Sequence, residues 1–322
     1  MSIVQAHGAG AYAVVAAHAV ASAGTVAGPS AGASAAPSLQ SEIWGEPARE
    51  PLQVIQTLKL FPAGKKMLES GVRYWNLSST DELARVIRFG GVSKTDAVLT
   101  RQYDPETGRE SRKREVSIIL KSNQALLDGV LDLAHELTHA TSEPGWDPYD
   151  PTLTVGRYIY ALLESSGGEI DAVQFECQVA SEIETLQQIK TKRCDRYFAE
   201  KSKLAAETLS VDRSRIQKDF YRIGRWSTYV KGKLKDETKL FPFLSPMNPE
   251  LYSATGRAPY PAALIQEYEE LNRVACRNAA TRKAQSRGIA SVSMSTGTKN
   301  SEFMANRCGN AFTTGSSSRT SD

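Results

Sequence analysis

The spacing of hydrophobic residues changes several times along the chain, and each change predicts a different element. Residues 79–89 combine a serine or threonine start with apolar positions at helical spacing, which predicts a helix. Residues 96–104 and 114–122 alternate as strands do and flank a turn-rich segment, so they predict an antiparallel hairpin. Residues 126–141 return to the helical period, and the prolines within 142–152 end that helix.

The second half of the chain is predicted to be mainly helical. Helical patterns cover 168–189, with a continuation towards Leu209, then 212–234 and 261–284. Together with the hairpin, these elements predict an α+β fold in which a small antiparallel or mixed sheet precedes a helical C-terminal part. We divide the ordered region into a core at 51–190 and a helical subdomain at 191–284.

Both ends of the chain differ in composition from this central region. The first 41 residues contain no Asp, Glu, Lys or Arg and are rich in Ala, Gly, Ser and Val. They lack the positive start of a Sec signal peptide, although ASAG at 21–24 resembles a cleavage site. Residues 11–28 are too weakly apolar for a membrane span, so no stable membrane insertion is expected. We predict a disordered leader at 1–50 and a disordered tail at 285–322.

Charge and cysteine content narrow the function classes. The 39 basic and 36 acidic residues give a net charge of +3, which is too small for a nucleic-acid-binding surface. The basic run at 190–193 is interpreted as a solvated helix face.

The four cysteines form no C-x-x-C pair, which argues against a cysteine zinc site. We expect reduced cysteines, with Cys177 and Cys276 buried as thiols.

The helix predicted at 126–141 carries the motif H-E-x-x-H, formed by His135, Glu136 and His139. Residues four apart lie on the same helix face, so both imidazoles can bind one metal ion. Glu136 is rotated around the helix, where it can take a proton from a water molecule in the open coordination position. The motif therefore indicates a zinc site at which the activated water attacks a carbonyl group. The competing interpretation is that the two histidines only pack in the core.

A catalytic zinc site of this kind needs a third protein ligand. The chain has four histidines and none follows His139, so zinc peptidases with a later histidine ligand are excluded. The third ligand must then be a carboxylate. Glu164, Glu169 and an aspartate within 147–150 are the candidates.

A zinc peptidase also needs a donor that stabilises the oxyanion of its tetrahedral intermediate. Arg225 and Tyr229 are four residues apart on one face of a predicted helix, so we select them as catalytic candidates. A surface arginine and a packed tyrosine would give the same pattern, and Tyr158 and Tyr160 are further candidates. The strand at 114–121 would lie beside the cleft as an edge strand, where an extended peptide can pair with it.

The motifs resemble those of the gluzincins, zinc peptidases whose second helix carries E-x-x-A or E-x-x-x-D after the histidine pair. EIDA at 169–172 matches the first form, so the resemblance implies Glu169 as the third zinc ligand and a zincin-like core. The chain departs from the family at Val173, where many gluzincins carry an aspartate that orients the first histidine. Asp171 or Glu176 could take that role.

Two further resemblances concern function. The gluzincin-like clostridial neurotoxins use an arginine and a tyrosine from a later helix, which is similar to Arg225 and Tyr229. The form HELxHA and the uncharged leader look like the zinc metallopeptidase effectors that bacterial pathogens inject into host cells. That resemblance implies a protein that is cytoplasmic before secretion, is translocated into a host cell and cleaves a host protein there.

The partners implied are a protein or peptide substrate and a secretion chaperone or immunity protein, with no nucleic acid. Three alternatives stay open. The chain could be a toxin or lytic peptidase that acts on peptidoglycan or on a bacterial competitor. It could be a housekeeping zinc peptidase, or a non-catalytic interaction protein that keeps a zincin fold.

Overall fold

A computed structural model of the chain describes residues 11–19, 43–103, 110–143, 146–199, 209–222, 260–286, 303 and 307–308. The fold is α+β, as predicted. The elements in chain order are β1 (Ala11–Ala19), α1 (Pro51–Leu58), α2 (Pro62–Trp75), a 3-10 helix (Asp81–Arg85), β2 (Ile87–Gly90), β3 (Lys94–Tyr103), β4 (Glu110–Lys121), α3 (Leu126–Ala140), α4 (Val155–Leu163), α5 (Glu169–Gln187), a second 3-10 helix (Asp195–Tyr197), α6 (Arg213–Arg222) and α7 (Tyr260–Ser286).

The described strands form one mixed sheet in the order β1-β3-β4-β2. β3 pairs antiparallel with both β1 and β4, whereas β2 runs parallel to β4. The predicted hairpin is therefore confirmed as β3 and β4. The prediction of an edge strand at 114–121 is wrong, because β4 lies between β3 and β2, and the outer edge of β3 is covered by β1.

The predicted helix at 79–89 is wrong in its second half. Asp81–Arg85 forms a single short 3-10 helix, and Ile87–Gly90 is strand β2. Ile87 is buried and pairs with Ile118 of β4, where a β-branched residue packs well. The apolar residues at 83, 86 and 87 suit one helical turn or the start of a strand equally, so the pattern alone does not separate the two.

The later helices follow the predictions with one shortening. α5 ends at Gln187 because Gln188 adopts the left-handed conformation, with φ of 57°, so the continuation towards Leu209 is wrong. α6 begins where a helix was predicted, and residues 223–234 of that prediction lie outside the described residues. α7 covers the helix predicted at 261–284.

Helix α3 lies at the centre of the core. Every residue from Gly129 to Ala140 is buried, so the helix is covered on all sides rather than along one stripe. Helices α1, α2 and α5 pack against it, and so does the sheet. Apolar side chains of α6 and α7, such as Phe220 and Leu264, join the same core. The motif residues therefore lie in the protein interior, where a polar group needs a partner.

Helix α2 is capped by a residue that is distant in sequence. Phe61, which precedes the helix, provides no side-chain cap. Instead, the carboxylate of Glu182 on α5 accepts hydrogen bonds from the backbone N–H of Ala63, at 3.0 and 3.2 Å. A carboxylate at this position satisfies an open donor and favours the positive end of the helix dipole. The contact fixes α5 against α2.

The ends of the chain are more structured than predicted. Ala11–Ala19, within the expected disordered leader, forms β1, and its register places residue 18 opposite Thr95 of β3. In the expected disordered tail, Phe303, Arg307 and Cys308 are buried. The expectation of disorder is wrong for these residues, and also for 43–50, where Trp44 is buried, and for 285–286, which belong to α7. Residues 1–10, 20–42, 287–302, 304–306 and 309–322 lie outside the described residues.

All four cysteines form disulfides, which corrects the expectation of reduced thiols. Cys177 pairs with Cys194, and Cys276 pairs with Cys308. Their burial was predicted for Cys177 and Cys276 and is confirmed. The pairing was not predictable from spacing, because the partners are 17 and 32 residues apart and four cysteines allow three connectivities.

The C-terminal residues fasten the loop that follows α3. Arg307 donates hydrogen bonds to the carbonyl oxygens of Pro148 and Asp150, at 3.1 and 2.8 Å. Phe303 packs against Tyr149, with 5.8 Å between the ring centroids. The tail therefore supports residues 146–150, in the connection between α3 and α4.

Candidate metal centre

His135, His139 and Glu169 form a compact cluster. The histidines project from α3, and the glutamate belongs to the first turn of α5. His135 Nε2 lies 3.1 Å from His139 Nε2 and 3.3 Å from Glu169 Oε2, and His139 Nε2 lies 3.6 Å from the same oxygen. We call these three atoms the ligand triangle. Within the described part of the chain, these three residues are the one His/Cys/Asp/Glu group that could hold a metal ion.

The start of α5 explains why Glu169 reaches α3. Gly168 precedes the helix, and a Cβ on it would lie 2.8 Å from the carbonyl oxygen of Leu163 and 2.9 Å from that of Leu162. Glycine thus allows α5 to begin directly against the end of α4. This close approach places Glu169 at the first position of the helix, beside the two histidines.

The second nitrogen of each imidazole decides which nitrogen faces the triangle. His139 Nδ1 lies 2.8 Å from the carbonyl oxygen of Gly167, which can only accept, so Nδ1 carries the proton. His135 Nδ1 lies 2.9 Å from Glu176 Oε2, and a carboxylate also favours a proton there. In the neutral rings, both Nε2 atoms then direct lone pairs at Glu169. Three acceptors this close repel one another unless a cation or a proton lies between them.

The charges around the triangle favour positive charge within it. Burial lowers the pKa of His135, but hydrogen bonds and charges of Glu169 and Glu176 outweigh it and raise the pKa to about 10. The pKa of His139 is also raised against the effect of burial, chiefly by the charge of Glu169. Burial opposes ionisation of Glu169, yet the facing histidines hold its pKa well below the usual value. A metal ion would supply the positive charge that these groups attract.

The triangle has the dimensions of a zinc site. Tetrahedral zinc binds imidazole nitrogens and carboxylate oxygens at about 2.0–2.1 Å, which separates neighbouring ligand atoms by about 3.3 Å. The observed separations of 3.1, 3.3 and 3.6 Å bracket that value. Calcium and magnesium prefer shells made of oxygen atoms, so two imidazoles and one carboxylate suit zinc better. The chemistry and the spacing of these three residues therefore fit zinc.

Glu136 is held beside the triangle by a residue of the sheet. The hydroxyl of Thr95 on β3 lies 2.8 Å from Glu136 Oε2 and 2.9 Å from the Glu136 backbone oxygen. Burial raises the pKa of Glu136 to about 7, although His135, His139 and the bond from Thr95 oppose the rise. A carboxylate with this pKa can accept and return protons near neutral pH.

Glu176 orients His135, which was one of the two options left open by the sequence. Its Oε2 faces the imidazole, and its Oε1 lies 2.5 Å from Arg193 Nε. The same arginine lies 2.7 Å from Asp132 Oδ1 on α3, three residues before His135. The interpretation of 190–193 as a solvated helix face is wrong, because this segment is a loop. The side chain of Arg193 also points inward, where it pairs with the buried carboxylates of Asp132 and Glu176.

Asp171, the other option, acts on the second histidine instead. Its Oδ2 accepts a hydrogen bond from the N–H of Gly167 at 3.1 Å, and the carbonyl of Gly167 orients His139. Asp171 is itself paired with Arg213 of α6. Gly167 has φ of +75°, and a Cβ on it would lie 2.1 Å from Ser142 Cβ, so the position requires glycine.

The other candidate carboxylates lie apart from the triangle. Glu164 is the C-cap residue that directly follows α4. Asp147 pairs with Arg112 at 2.9 Å, and Asp150 accepts a hydrogen bond from the backbone N–H of Thr152. None of the three belongs to the described group that could hold a metal ion, so Glu169 is the carboxylate that the structure brings to the histidines.

The candidate oxyanion donors are not brought to the cluster by any described contact. Arg225 and Tyr229 lie outside the described residues. Tyr158 is buried in the core against Trp146, with 4.8 Å between the ring centroids, and Tyr160 is 42% exposed. The structure therefore leaves the selection of Arg225 and Tyr229 as a prediction.

Sequence reasoning missed three residues of this site: Thr95, Gly167 and Arg193. The glycine pair at 167–168, directly before a helix that starts with a glutamate, was an available signal for a close backbone approach. The threonine is one of many polar residues in strands, and the arginine lies in an ordinary basic run. Only three-dimensional contacts distinguish these two from their neighbours.

The described residues include no helix that combines the length and the apolar character required to cross a bilayer. Comparison of the chain with protein-family models, with curated proteins and with solved structures finds no match.

Proposed function

We propose that this chain is a zinc-dependent metallopeptidase with a zincin-like active site of the gluzincin type. One observation carries the proposal: the ligand triangle has the edge lengths of a tetrahedral zinc site, and a buried carboxylate, Glu136, lies beside it. His135, His139 and Glu169 would hold the ion. Zinc, when bound, would polarise the scissile carbonyl and lower the pKa of a water molecule.

Glu136 is the general base in this proposal. Its pKa of about 7 suits removal of a proton from the attacking water and delivery of that proton to the amine nitrogen of the leaving group. The hydroxyl of Thr95 bonds to one carboxylate oxygen of Glu136 and thereby limits rotation of the side chain. Arg225 and Tyr229 remain the proposed donors to the oxyanion.

The outer edge of β3 is the proposed place for an extended peptide substrate. β1 already pairs with this edge, which supports its ability to accept a strand through main-chain hydrogen bonds. In that register, residue 18 lies opposite Thr95, the residue that contacts Glu136. A peptide bound along the same edge would run past the general base and would have to displace β1.

We further propose that the protein is exported and acts on a host protein after translocation. The two disulfides support the export step, since disulfides form and persist in oxidising compartments. The step into a host cell rests on the resemblance of the HELTHA sequence and of the 41 uncharged N-terminal residues to injected effectors. A cell-wall peptide or a protein of a competing bacterium is the alternative substrate, with an immunity protein as the corresponding partner.

Metal content measured by mass spectrometry on the purified full chain tests the zinc site. We expect about one zinc per wild-type chain, and none in His139→Ala or Glu169→Ala, because a site with two protein ligands binds weakly. Glu164→Ala is the matched control and should retain zinc. Retention of zinc in Glu169→Ala, or its absence from the wild type after reconstitution, would refute the proposed ligand set.

Turnover of fluorescein-labelled casein, and of labelled peptidoglycan peptides, tests the peptidase itself. Glu136→Gln should keep zinc and lose hydrolysis, because the amide cannot accept the proton. Zinc binding by the wild type without any hydrolysis that depends on Glu136 would instead support a zinc-binding interaction protein.

A further inference from the structure

Arg193 connects the two helices that carry the ligand triangle. Its Nε lies 2.5 Å from Glu176 Oε1 on α5, and its Nη2 lies 2.7 Å from Asp132 Oδ1 on α3. Glu176 uses its other oxygen to face His135 Nδ1 at 2.9 Å. One carboxylate therefore separates the guanidinium from a proposed zinc ligand.

Asp132 gives Arg193 a fixed point of attachment. Its Oδ2 accepts hydrogen bonds from the hydroxyl of Ser93 and from the amide of Gln124, the latter at 3.1 Å. The carboxylate cannot rotate freely while these bonds hold. The guanidinium is a planar fork, so fixing one end on Asp132 also restricts the orientation of the end that holds Glu176.

A disulfide brings Arg193 to this place. Cys177 directly follows Glu176, and Cys194 directly follows Arg193, so the bond between the cysteines joins the neighbours of the ion pair. Arg193 itself lies in the loop after α5, in which regular helical hydrogen bonds do not hold the backbone. The covalent link therefore anchors the loop at the point where the arginine must turn inward.

We propose that Arg193, held by the Cys177–Cys194 disulfide, is a positioning residue that increases the zinc affinity of His135 through Glu176. The proposal rests on the proposed zinc site. A fixed carboxylate orients the imidazole of a metal ligand and makes it a better donor, and loss of such a partner typically lowers metal affinity by about 10–100-fold. The positive charge of Arg193 would by itself repel a metal ion, so positioning and charge predict opposite effects of its removal.

The dissociation constant for zinc, measured on the full chain against a fluorescent chelator, separates these effects. We expect Arg193→Met to weaken zinc binding by about 10-fold or more. Arg193→Lys keeps the charge without the planar fork and should recover only part of the affinity. Arg196→Met is the matched control, since Arg196 lies close by in sequence and pairs with Asp219 instead, and its zinc affinity should equal that of the wild type.

The visible spectrum of the cobalt-substituted chain provides a second readout, which reports the geometry of the ligands and not the stability of the fold. Arg193→Met should change its band positions, whereas Arg196→Met should leave them as in the wild type. Unfolding of each metal-free variant by urea shows how much stability is lost separately from affinity. A variant that loses stability but keeps the wild-type zinc affinity and cobalt spectrum would overturn the positioning role, as would tighter zinc binding by Arg193→Met.

A double-mutant cycle tests the part played by the disulfide. Cys177→Ser with Cys194→Ser should weaken zinc binding, and adding Arg193→Met to this pair should cause little further loss, because both changes act through the same contact. Cys276→Ser with Cys308→Ser removes the other disulfide and serves as the control. Independent, additive losses would overturn the link between the disulfide and Arg193. Failure of the wild type to bind zinc would overturn the site itself, a result distinct from normal zinc binding by Arg193→Met.

Discussion

Gly167→Ala is expected to weaken both the fold and the proposed zinc site without replacing a proposed ligand. The new Cβ would lie 2.1 Å from Ser142 Cβ, whereas an ordinary contact begins at 3.4 Å. The two groups must therefore move apart by about 1.3 Å to reach an ordinary contact, and by 0.9 Å even to reach 3.0 Å, the distance below which real Cβ atoms essentially never come. The Gly167 carbonyl is 2.8 Å from His139 Nδ1, and a displacement of that size away from the imidazole would break the hydrogen bond.

The expected loss of unfolding free energy in Gly167→Ala has three contributions. Alanine at a φ of +75° costs about 1–2 kcal/mol. Loss of the hydrogen bond to His139 costs about 1 kcal/mol, and the displaced backbone adds strain of similar size. We expect the free energy of unfolding of the metal-free chain to fall by about 3–4 kcal/mol. Zinc affinity should fall by about 10-fold or more, because His139 loses its orienting partner.

Urea unfolding of the metal-free chain and zinc titration against a chelator measure the two effects. Gly129→Ala in α3 is the matched control. Its Cβ meets its nearest neighbour, Val54, at 3.6 Å, and the helix should gain up to about 1 kcal/mol. Adding Ser142→Gly to Gly167→Ala removes the worst overlap and should restore part of the stability, with the cost of the positive φ remaining. Wild-type stability and zinc affinity in Gly167→Ala would refute the reasoning.

Three further predictions concern the proton balance, the general base and a helix cap. Zinc binding at pH 7 should release about one proton or more, and zinc affinity should weaken as pH falls. The reason is that the metal-free chain holds a proton on His135, whose pKa is about 10, whereas zinc requires the neutral ring. Calorimetry in two buffers of different ionisation enthalpy measures the number of protons released, and zero release would contradict the prediction. Thr95→Val should keep zinc, lower turnover by about 10-fold and move the acidic limb of the pH–rate profile to higher pH, because the lost hydrogen bond is one that lowers the pKa of Glu136. An unchanged profile would show that Thr95 does not act on the base. Glu182→Ala should lower the free energy of unfolding by about 1 kcal/mol, because the backbone N–H of Ala63 at the start of α2 loses its acceptor. Zinc content should stay as in the wild type, and a loss of zinc would mean that α5 itself has moved.

The parts of the fold that were predicted correctly are those with a strong local signal. The helices α3, α5 and α7 follow long apolar periods, and the hairpin of β3 and β4 follows two alternating runs around a turn. His135 and His139 are one helical turn apart, so their position on the same helix face can be predicted from the sequence alone. These features depend on residues that are near one another in sequence, which is why a pattern can reveal them.

The parts that were missed depend on contacts between distant segments. Thr95 lies 41 residues before Glu136, and the segment of the leader that forms β1 acquires its structure from pairing with β3. The many Ala and Gly residues of the leader are unfavourable in strands and obscure the few strand-favouring residues of β1, such as Tyr12 and Val14. Nothing in the local sequence indicates that β3 is the partner. The disulfides were missed for a related reason, since the expectation of reduced cysteines rested on the apolar neighbours of Cys177 and Cys276 and contained no information on which cysteines lie close together.

The attachment of the C-terminal residues to the loop after α3 has a consequence for the order of folding. Arg307 and Asp150 are 157 residues apart, so their contact closes one of the longest loops in the chain. During synthesis, α3 and α5 can meet long before residue 307 leaves the ribosome, but residues 146–150 lack this support until residue 307 has emerged. A chain cut short after α7 would retain every proposed zinc ligand and still lack the contacts that hold this loop in place.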